Sequence, residues 1–358
     1  LTDRQLNDCE MILDGSFNPL NSFMDETNYK SVLNKMRLSD NSLFPIPITL
    51  DVNRDFASIL EIGDEIILKE KEGFKIAFLK VESIWEPDLD LEAKVVYGTN
   101  DIKHPAVDYL FNKGNDIYIA GSLEKISHPN HYDYKKYRVT PKNAKKYFQA
   151  NGWDKIIAFQ TRNPLHRAHV EMIQMAMKSI NAKLLLHPVI GMTKPGDIDH
   201  HTRVRCYEHV LEQFSKNSIK LGLLPLAMRM GGPREAVLHA LIRKNYGCTH
   251  IIIGRDHAGP GNDSYGKPFY GAYDAQELLK KFENEIGIKM VPFQLMVYVP
   301  GIKRYKPLDS LDENTDYRTI SGTELRSKLD LGKDLPKWFS YPKVTLELRK
   351  SSPPMFKR

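Results

Sequence analysis

Cysteine is scarce: Cys9, Cys206 and Cys248 stand far apart in 358 residues, with no CxxC pair and no even set for a disulfide framework. That scarcity argues against a thiolate zinc module or a disulfide-stapled scaffold and points to a reducing, cytoplasmic setting. No apolar run approaches the ~18–20 residues of a membrane span, so no membrane partner is expected. The opening Leu1-Thr2-Asp3-Arg4 does not read as a signal peptide, and the missing initiator Met suggests an excised or trimmed chain. Internal repeats, low-complexity tracts and single-sign charge blocks are also missing. So are an HExxH zinc helix and a GxxxxGK[ST] phosphate loop.

What is present is an ordinary globular composition, 41% hydrophobic and 27% charged, which excludes wholesale disorder and fibrous architectures. The length predicts two or three domains. A net charge of +6 suits anionic ligands, but it is spread along the chain. Without a basic-aromatic stripe, nucleic acid is not an expected partner.

Up to about residue 140 the chain alternates short apolar segments with turn residues, at 44–50, 64–68 and 74–79, behind an early helix near 5–13. This predicts a small β-rich domain over 1–140. From Trp153 buried-strand runs at 155–159, 183–189, 220–226, 250–253 and 291–299 alternate with amphipathic segments at 167–180, 202–214, 234–245 and 272–286. Such alternation predicts a parallel α/β sheet over 141–301, whose ligands bind beyond the carboxyl ends of the strands. A third piece, 302–358, carries Ser321 three residues before Glu324, a capping box that starts a short helix.

The loop after the first α/β strand reads Gln160-Thr161-Arg162-Asn163-Pro164-Leu165-His166-Arg167-Ala168-His169 and runs into a helix. Its two histidines, three apart, share one face of a first turn whose free N–H groups favour an anion. Histidines at that spacing also serve as caps or core contacts, and Gln160, Arg162 and Asn163 in the same loop weigh against that bland reading. A protein-bound metal is not expected, since no third ligand follows the pair. A second loop, Gly254-Arg255-Asp256-His257-Ala258-Gly259-Pro260-Gly261, lets a ligand approach the backbone closely, or is simply a tight turn. Met228-Arg229-Met230-Gly231-Gly232-Pro233-Arg234 offers two arginines that could equally face water, and Lys194 could reach a phosphate or stay solvated.

Taken together, QTRNPLHRAH at 160–169, RMGGPREA at 229–236 and GRDHAGPG at 254–261 resemble the signatures of the ATP sulfurylase family. The opening LTDRQLNDCEMILDGSFNPLNSFM, with ISGTELR at 320–326 and WFSYPKV at 338–344, extends the resemblance over nearly the whole chain. It implies a PUA-like β-rich N-terminal domain, a Rossmann-like nucleotidyltransferase domain with an HxxH variant of the HxGH theme, and a small C-terminal α/β subdomain. The implied reaction joins ATP and sulfate into adenosine 5′-phosphosulfate and pyrophosphate, with Mg²⁺ on the nucleotide.

Carried over residue by residue, the resemblance assigns sulfate to Gln160, Arg162 and the backbone of Ala258. ATP falls to Gln160, Arg162, Asn163, His166, His169, Gly254, Arg255, Asp256, His257 and Met296. Catalysis is assigned to Thr161, Arg162, Asn163, His166 and His169, with Phe293 moving between substrate states. Met296 stands where the family pattern has Val. The resemblance further implies a homo-oligomer, and the terminal SSPPMFKR matches the point at which some members continue into an adenylylsulfate kinase.

Overall fold

The computed structural model describes residues 1–351; the end of the SSPPMFKR segment, residues 352–358, lies outside the described residues. Chain entry is fixed by a capping box in which Thr2 and Gln5 satisfy each other's backbone N–H, starting the helix Asp3–Leu13. Gln5 then donates to the Asp51 carbonyl and carboxylate at 2.7 and 2.8 Å, tying that helix to the first strand. Four antiparallel strands follow: β1 (Leu50–Val52), β2 (Glu65–Lys69), β3 (Lys75–Trp85) and β4 (Ile117–Lys125), in the order β1-β4-β3-β2. The run 44–50 is mostly not strand. Phe44, Ile46 and Ile48 are fully buried, but Pro45 and Pro47 have no N–H to give a ladder, and pairing begins at Leu50.

The second sheet contains β5 (Ile156–Phe159), β6 (Lys183–Leu186), β7 (Ile219–Leu221), β8 (His250–Ile253) and β9 (Lys289–Pro292), all parallel, in the order β7-β6-β5-β8-β9. Strand 291–299, expected as one piece, is two. Pro292 ends β9, and after three residues the chain re-pairs as β10 (Met296–Val299) with β11 (Arg304–Pro307) in an antiparallel hairpin. The helix Arg167–Ile180 falls where the periodicity put it. Near the C-terminus Ser321 caps the helix Gly322–Asp330 by accepting from the Glu324 N–H at 3.1 Å. Glu324 does not complete the expected box; its carboxylate lies 3.5 Å from Lys328.

Alternation along the parallel strands sorts their side chains onto two cores. Ile156, Ala158, Leu185, Ile251 and Ile253 share a core with the N-terminal domain and with the helices Pro141–Ala150, Gly232–Asn245 and Asp274–Ile286. Ile157, Phe159, Leu184, Leu186 and Ile252 pack on the opposite face against the helices Arg167–Ile180, His200–Leu211 and Pro342–Ser351. The N-terminal domain is thus fused to one face of the sheet. Two arginines fasten it, buried Arg229 from the loop before the helix Gly232–Asn245 and partly buried Arg234 from that helix's first turn. Arg234 donates to the carbonyls of Val32, Leu33 and Pro45 at 3.2–3.3 Å, and fully buried Arg229 pairs with Asp8 at 2.5 Å.

Breaking that buried pair leaves an uncompensated charge, so Asp8→Ala should destabilise the chain by about 3–5 kcal/mol. A drop in the urea midpoint would report it. Asp8→Leu combined with Arg229→Met should recover most of the loss.

Candidate active site

Sheet order reverses between β5 and β8: the chain builds outward from β5 through β6 to β7, then returns to add β8 and β9 on the other side. Loops that leave adjacent strands in opposite directions part from each other and open a crevice at the carboxyl ends. The two loops singled out in the sequence are the ones that flank it.

From β5 the chain enters Gln160, which is buried and whose Oε1 has no partner within the described residues. An unpaired buried amide at a cavity wall is a group that a bound ligand can satisfy. Thr161 and Asn163 brace the turn: Thr161 Oγ1 donates to the Asn163 carbonyl at 2.9 Å and accepts from its N–H at 3.0 Å. Tyr207 also donates to the Asn163 carbonyl, at 3.0 Å. Arg162 meets both carboxylate oxygens of Asp197 at 2.5 and 2.6 Å, each time through Nη1. Its Nη2 and Nε therefore remain available as donors.

His166 is the N-cap of the helix Arg167–Ile180, and its backbone N–H donates to His169 Nδ1 at 3.1 Å. An accepting Nδ1 carries no proton, so neutral His169 holds its proton on Nε2 and can donate from there. His166 Nδ1 lies 3.0 Å from Ser340 Oγ, with the Phe339 ring 4.4 Å from the imidazole, so the C-terminal segment fixes its orientation. Burial pushes His169 down to about 4, and burial with the neighbouring His169 pushes His166 down to about 3. Both are neutral at neutral pH, and His169 is a donor through Nε2. Lys194 is lowered by burial and by Arg162, and its ammonium donates to the Pro260 carbonyl at 3.2 Å.

Across the crevice, Asp256 and Ala258 adopt left-handed backbone with φ +52° and +56°. Such residues turn successive N–H groups toward one side, making an anion-binding concavity. The loop holds that shape by donating from Asp256 N–H to the Ala272 carbonyl at 2.8 Å and accepting at the Ala258 carbonyl from Gly232 at 3.2 Å. A Cβ at Gly259 would stand 1.9 Å from Asp256 Oδ1, so a larger residue there would have to push that exposed carboxylate aside.

A cavity of about 380 Å³ lies between the loops, lined by Gln160, Thr161, Arg162, Asn163, His169, Gly254 to Gly259 and Met296. A second, of about 360 Å³, lies toward the C-terminal segment and adds His166, Lys194, Arg318 and Phe339 to shared walls at Arg162, His169 and Met296. All but one of the expected site residues line one or both. Phe293 lines neither; its N–H donates to the Ile253 carbonyl at 3.0 Å and it packs into the core beside the sheet. Sequence reading missed Asp197, Arg318, Ser340 and Phe339. Asp197 stood in the already noted Lys194 loop, whereas the other three reach the site only through folding of the last 50 or so residues.

The described residues contain one His/Asp group with metal-ligand spacing, Asp133 with His200 and His201, away from both cavities. Asp133 is already neutralised by Arg138 at 2.5 Å and hydrogen-bonded by His200 at 2.9 Å. No described helix is long and apolar enough to cross a membrane.

The family model for ATP-sulfurylase matches residues 135–351, and that for a PUA-like domain matches 1–128. The sulfate adenylyltransferase of Schizosaccharomyces pombe is 52% identical over 358 residues, covering 99% of this chain and 73% of its own length. That of Saccharomyces cerevisiae is 51% identical over 356 residues, covering 99% of this chain and 69% of its own. The solved structure of a hexameric APS kinase from Thiobacillus denitrificans superposes with a TM-score of 0.80 at 26% identity, over 99% of this chain and 62% of that one. With both sheets, both loops and the likeness along nearly its full length in agreement, the chain belongs to the ATP-sulfurylase family.

Proposed function

We propose that this chain is a sulfate adenylyltransferase: a sulfate oxygen attacks the α-phosphorus of ATP, giving adenosine 5′-phosphosulfate and pyrophosphate reversibly. The observation that carries the reading is the wall of the crevice, where Arg162, neutral His169 and the left-handed turn at 256–258 line one cavity and neutral His166 lines the adjoining one.

Sulfate is already a dianion and needs no general base; its difficulty is approaching a polyphosphate. Arg162, held by Asp197 through one nitrogen, keeps Nη2 and Nε for the incoming oxyanion. The Gln160 side-chain NH2 and the Ala258 N–H complete the sulfate cradle, and Gly254 to His257 with Met296 take the nucleotide. His166 and His169, fixed before the substrate arrives, donate to the charge developing on the phosphates. Mg²⁺ fits as part of the nucleotide: Asp197 is committed to Arg162, and the walls present mainly cations, amides and imidazoles rather than a carboxylate cage.

The division into 1–140, 141–301 and 302–358 suits this reading, with the last segment supplying Arg318 and Phe339 to the wall. The likeness to a hexameric APS kinase supports two further parts of the reading, a homo-oligomer and a separate or fused adenylylsulfate kinase that consumes the product. Three buried free thiols fit a reducing, cytoplasmic setting.

Sulfate-dependent exchange of labelled pyrophosphate into ATP tests the reaction, with phosphate and molybdate as comparison anions; exchange indifferent to sulfate would sink it. Loss of one preorganised donor costs ~10²–10³ in rate, so Arg162→Ala, His166→Ala and His169→Ala should each lose at least that much in steady-state turnover. Because both histidines stay unprotonated down to about pH 3–4, their ionisation should leave no inflection in kcat between pH 6 and 9. Their effect on stability has a definite sign. Folded values below the ordinary value near 6.5 mean that the unfolded chain binds more protons, so stability falls as pH drops from about 6.5 toward 4. Chemical denaturation across that window, with His166→Gln as comparison, reads it.

A further inference from the structure

The helix Gly232–Asn245 carries Glu235, His239 and Arg243 at four-residue spacing, all fully buried. Glu235 accepts from the backbone N–H groups of Arg229 and Gly231 at 3.0 and 2.9 Å, which holds its carboxylate in place. His239 Nε2 lies 3.4 Å from Glu235 Oε1, and His239 Nδ1 lies 2.9 Å from Nε2 of His257 in the site loop. The three side chains form one chain of contacts from the core to the cavity wall.

Charge and hydrogen-bond chemistry together assign a proton to each link. His239 Nε2 makes no hydrogen bond, but it stands 3.4 Å from the ionised Glu235 carboxylate, whose negative charge favours a proton on that nitrogen over a lone pair. Its Nδ1 must then accept, which puts the His257 proton on Nε2. Within the described residues His257 makes no other hydrogen bond, and it lines the 380 Å³ cavity, so Nδ1 remains with a lone pair. Burial, with His239 and Arg243 nearby, holds His257 well below the ordinary histidine value, so a second proton on that ring is disfavoured. Burial pushes the Glu235 carboxyl up, but contacts with His239 and the two amides outweigh it and leave it low.

We propose that Glu235 and His239 are positioning residues that lock His257 with its proton on Nε2, making Nδ1 a hydrogen-bond acceptor in a cavity otherwise lined largely by donors. A sulfate or phosphate oxygen has nothing to offer such an atom and is repelled by it. The group that meets Nδ1 must bring its own hydrogen, which in ATP means a ribose hydroxyl or the exocyclic amine of the base. His257 therefore reads the nucleoside, and the oxyanions are left to Arg162, His166, His169 and the loop amides. This assignment rests on the ATP reading of the cavity, whereas the proton positions do not.

Nitrogen NMR of the intact chain, labelled at histidine and free of nucleotide, reports which nitrogen of His257 is protonated, with His257→Gln identifying its signals. Protonation on Nε2, shifting toward a mixture of the two forms in His239→Phe or Glu235→Gln, is expected. A proton on Nδ1 in the wild type would overturn the proposal, and that measurement decides even where a variant fails to fold. The nucleoside contact is read by calorimetric binding of 2′-deoxy-ATP, 3′-deoxy-ATP and purine riboside triphosphate against ATP. One of the three should bind roughly two- to tenfold more weakly, the equivalent of one neutral hydrogen bond. That difference should vanish in His257→Phe while sulfate affinity holds. Equal binding of all four nucleotides, or a loss of sulfate affinity in its place, overturns the nucleoside assignment. A wild-type chain that binds no ATP at all would instead sink the parent reading.

Discussion

Strand order reverses between β5 and β8, and the rest of the site depends on that reversal. Two loops leaving neighbouring parallel strands in opposite directions leave a gap that the sheet itself cannot fill. Into that gap the chain points the carboxyl ends of its strands on one side and the start of the helix Arg167–Ile180 on the other. Gln160 follows β5 directly, Arg162 is braced by Asp197, and His169 sits in the first turn of the helix. Preorganisation therefore comes from the sheet, which is buried on both faces and has little freedom to relax.

The second theme is the management of charge. A site for two anions that must react with each other needs neutralisation without permanent capture, and the chain divides that work among unlike groups. Arg162 and Lys194 supply formal charge, each anchored by a partner of its own. The two histidines supply donors without charge, because burial keeps them unprotonated. The 257 and 258 amides add partial charge from backbone held in place by the hydrogen bonds of Asp256 to Ala272 and of Gly232 to Ala258.

The 228–236 segment does something different from the two site loops. Its arginines turn inward, Arg229 to Asp8 and Arg234 to carbonyls of the N-terminal domain, while Glu235 begins the contact chain that ends at His257. The segment that joins the N-terminal domain to the sheet thereby also braces the wall of the cavity. A small β-rich domain with no side chain in the 380 Å³ cavity is coupled to the site through buried polar contacts rather than through contact with a ligand.

Much of this was legible from residue order. Strands β5, β6 and β8, the helix Arg167–Ile180 and the two flanking loops follow from local pattern, because period, glycine spacing and strand-end position are properties of short segments. Pairing of Arg162 with Asp197, support of His166 by Ser340, and the contact of His239 with His257 join residues 18 to 174 positions apart. Prolines at 45 and 47 withheld the ladder bonds that their apolar neighbours advertised, and Pro292 split one apolar run into two strands of different sheets. The sequence by itself determined which groups could carry charge, donate hydrogen bonds or turn sharply. Tertiary structure decided which were buried, which nitrogen held each proton and which arginine faced a ligand rather than a neighbouring domain, because those depend on dehydration and on partners that only the folded chain brings within reach.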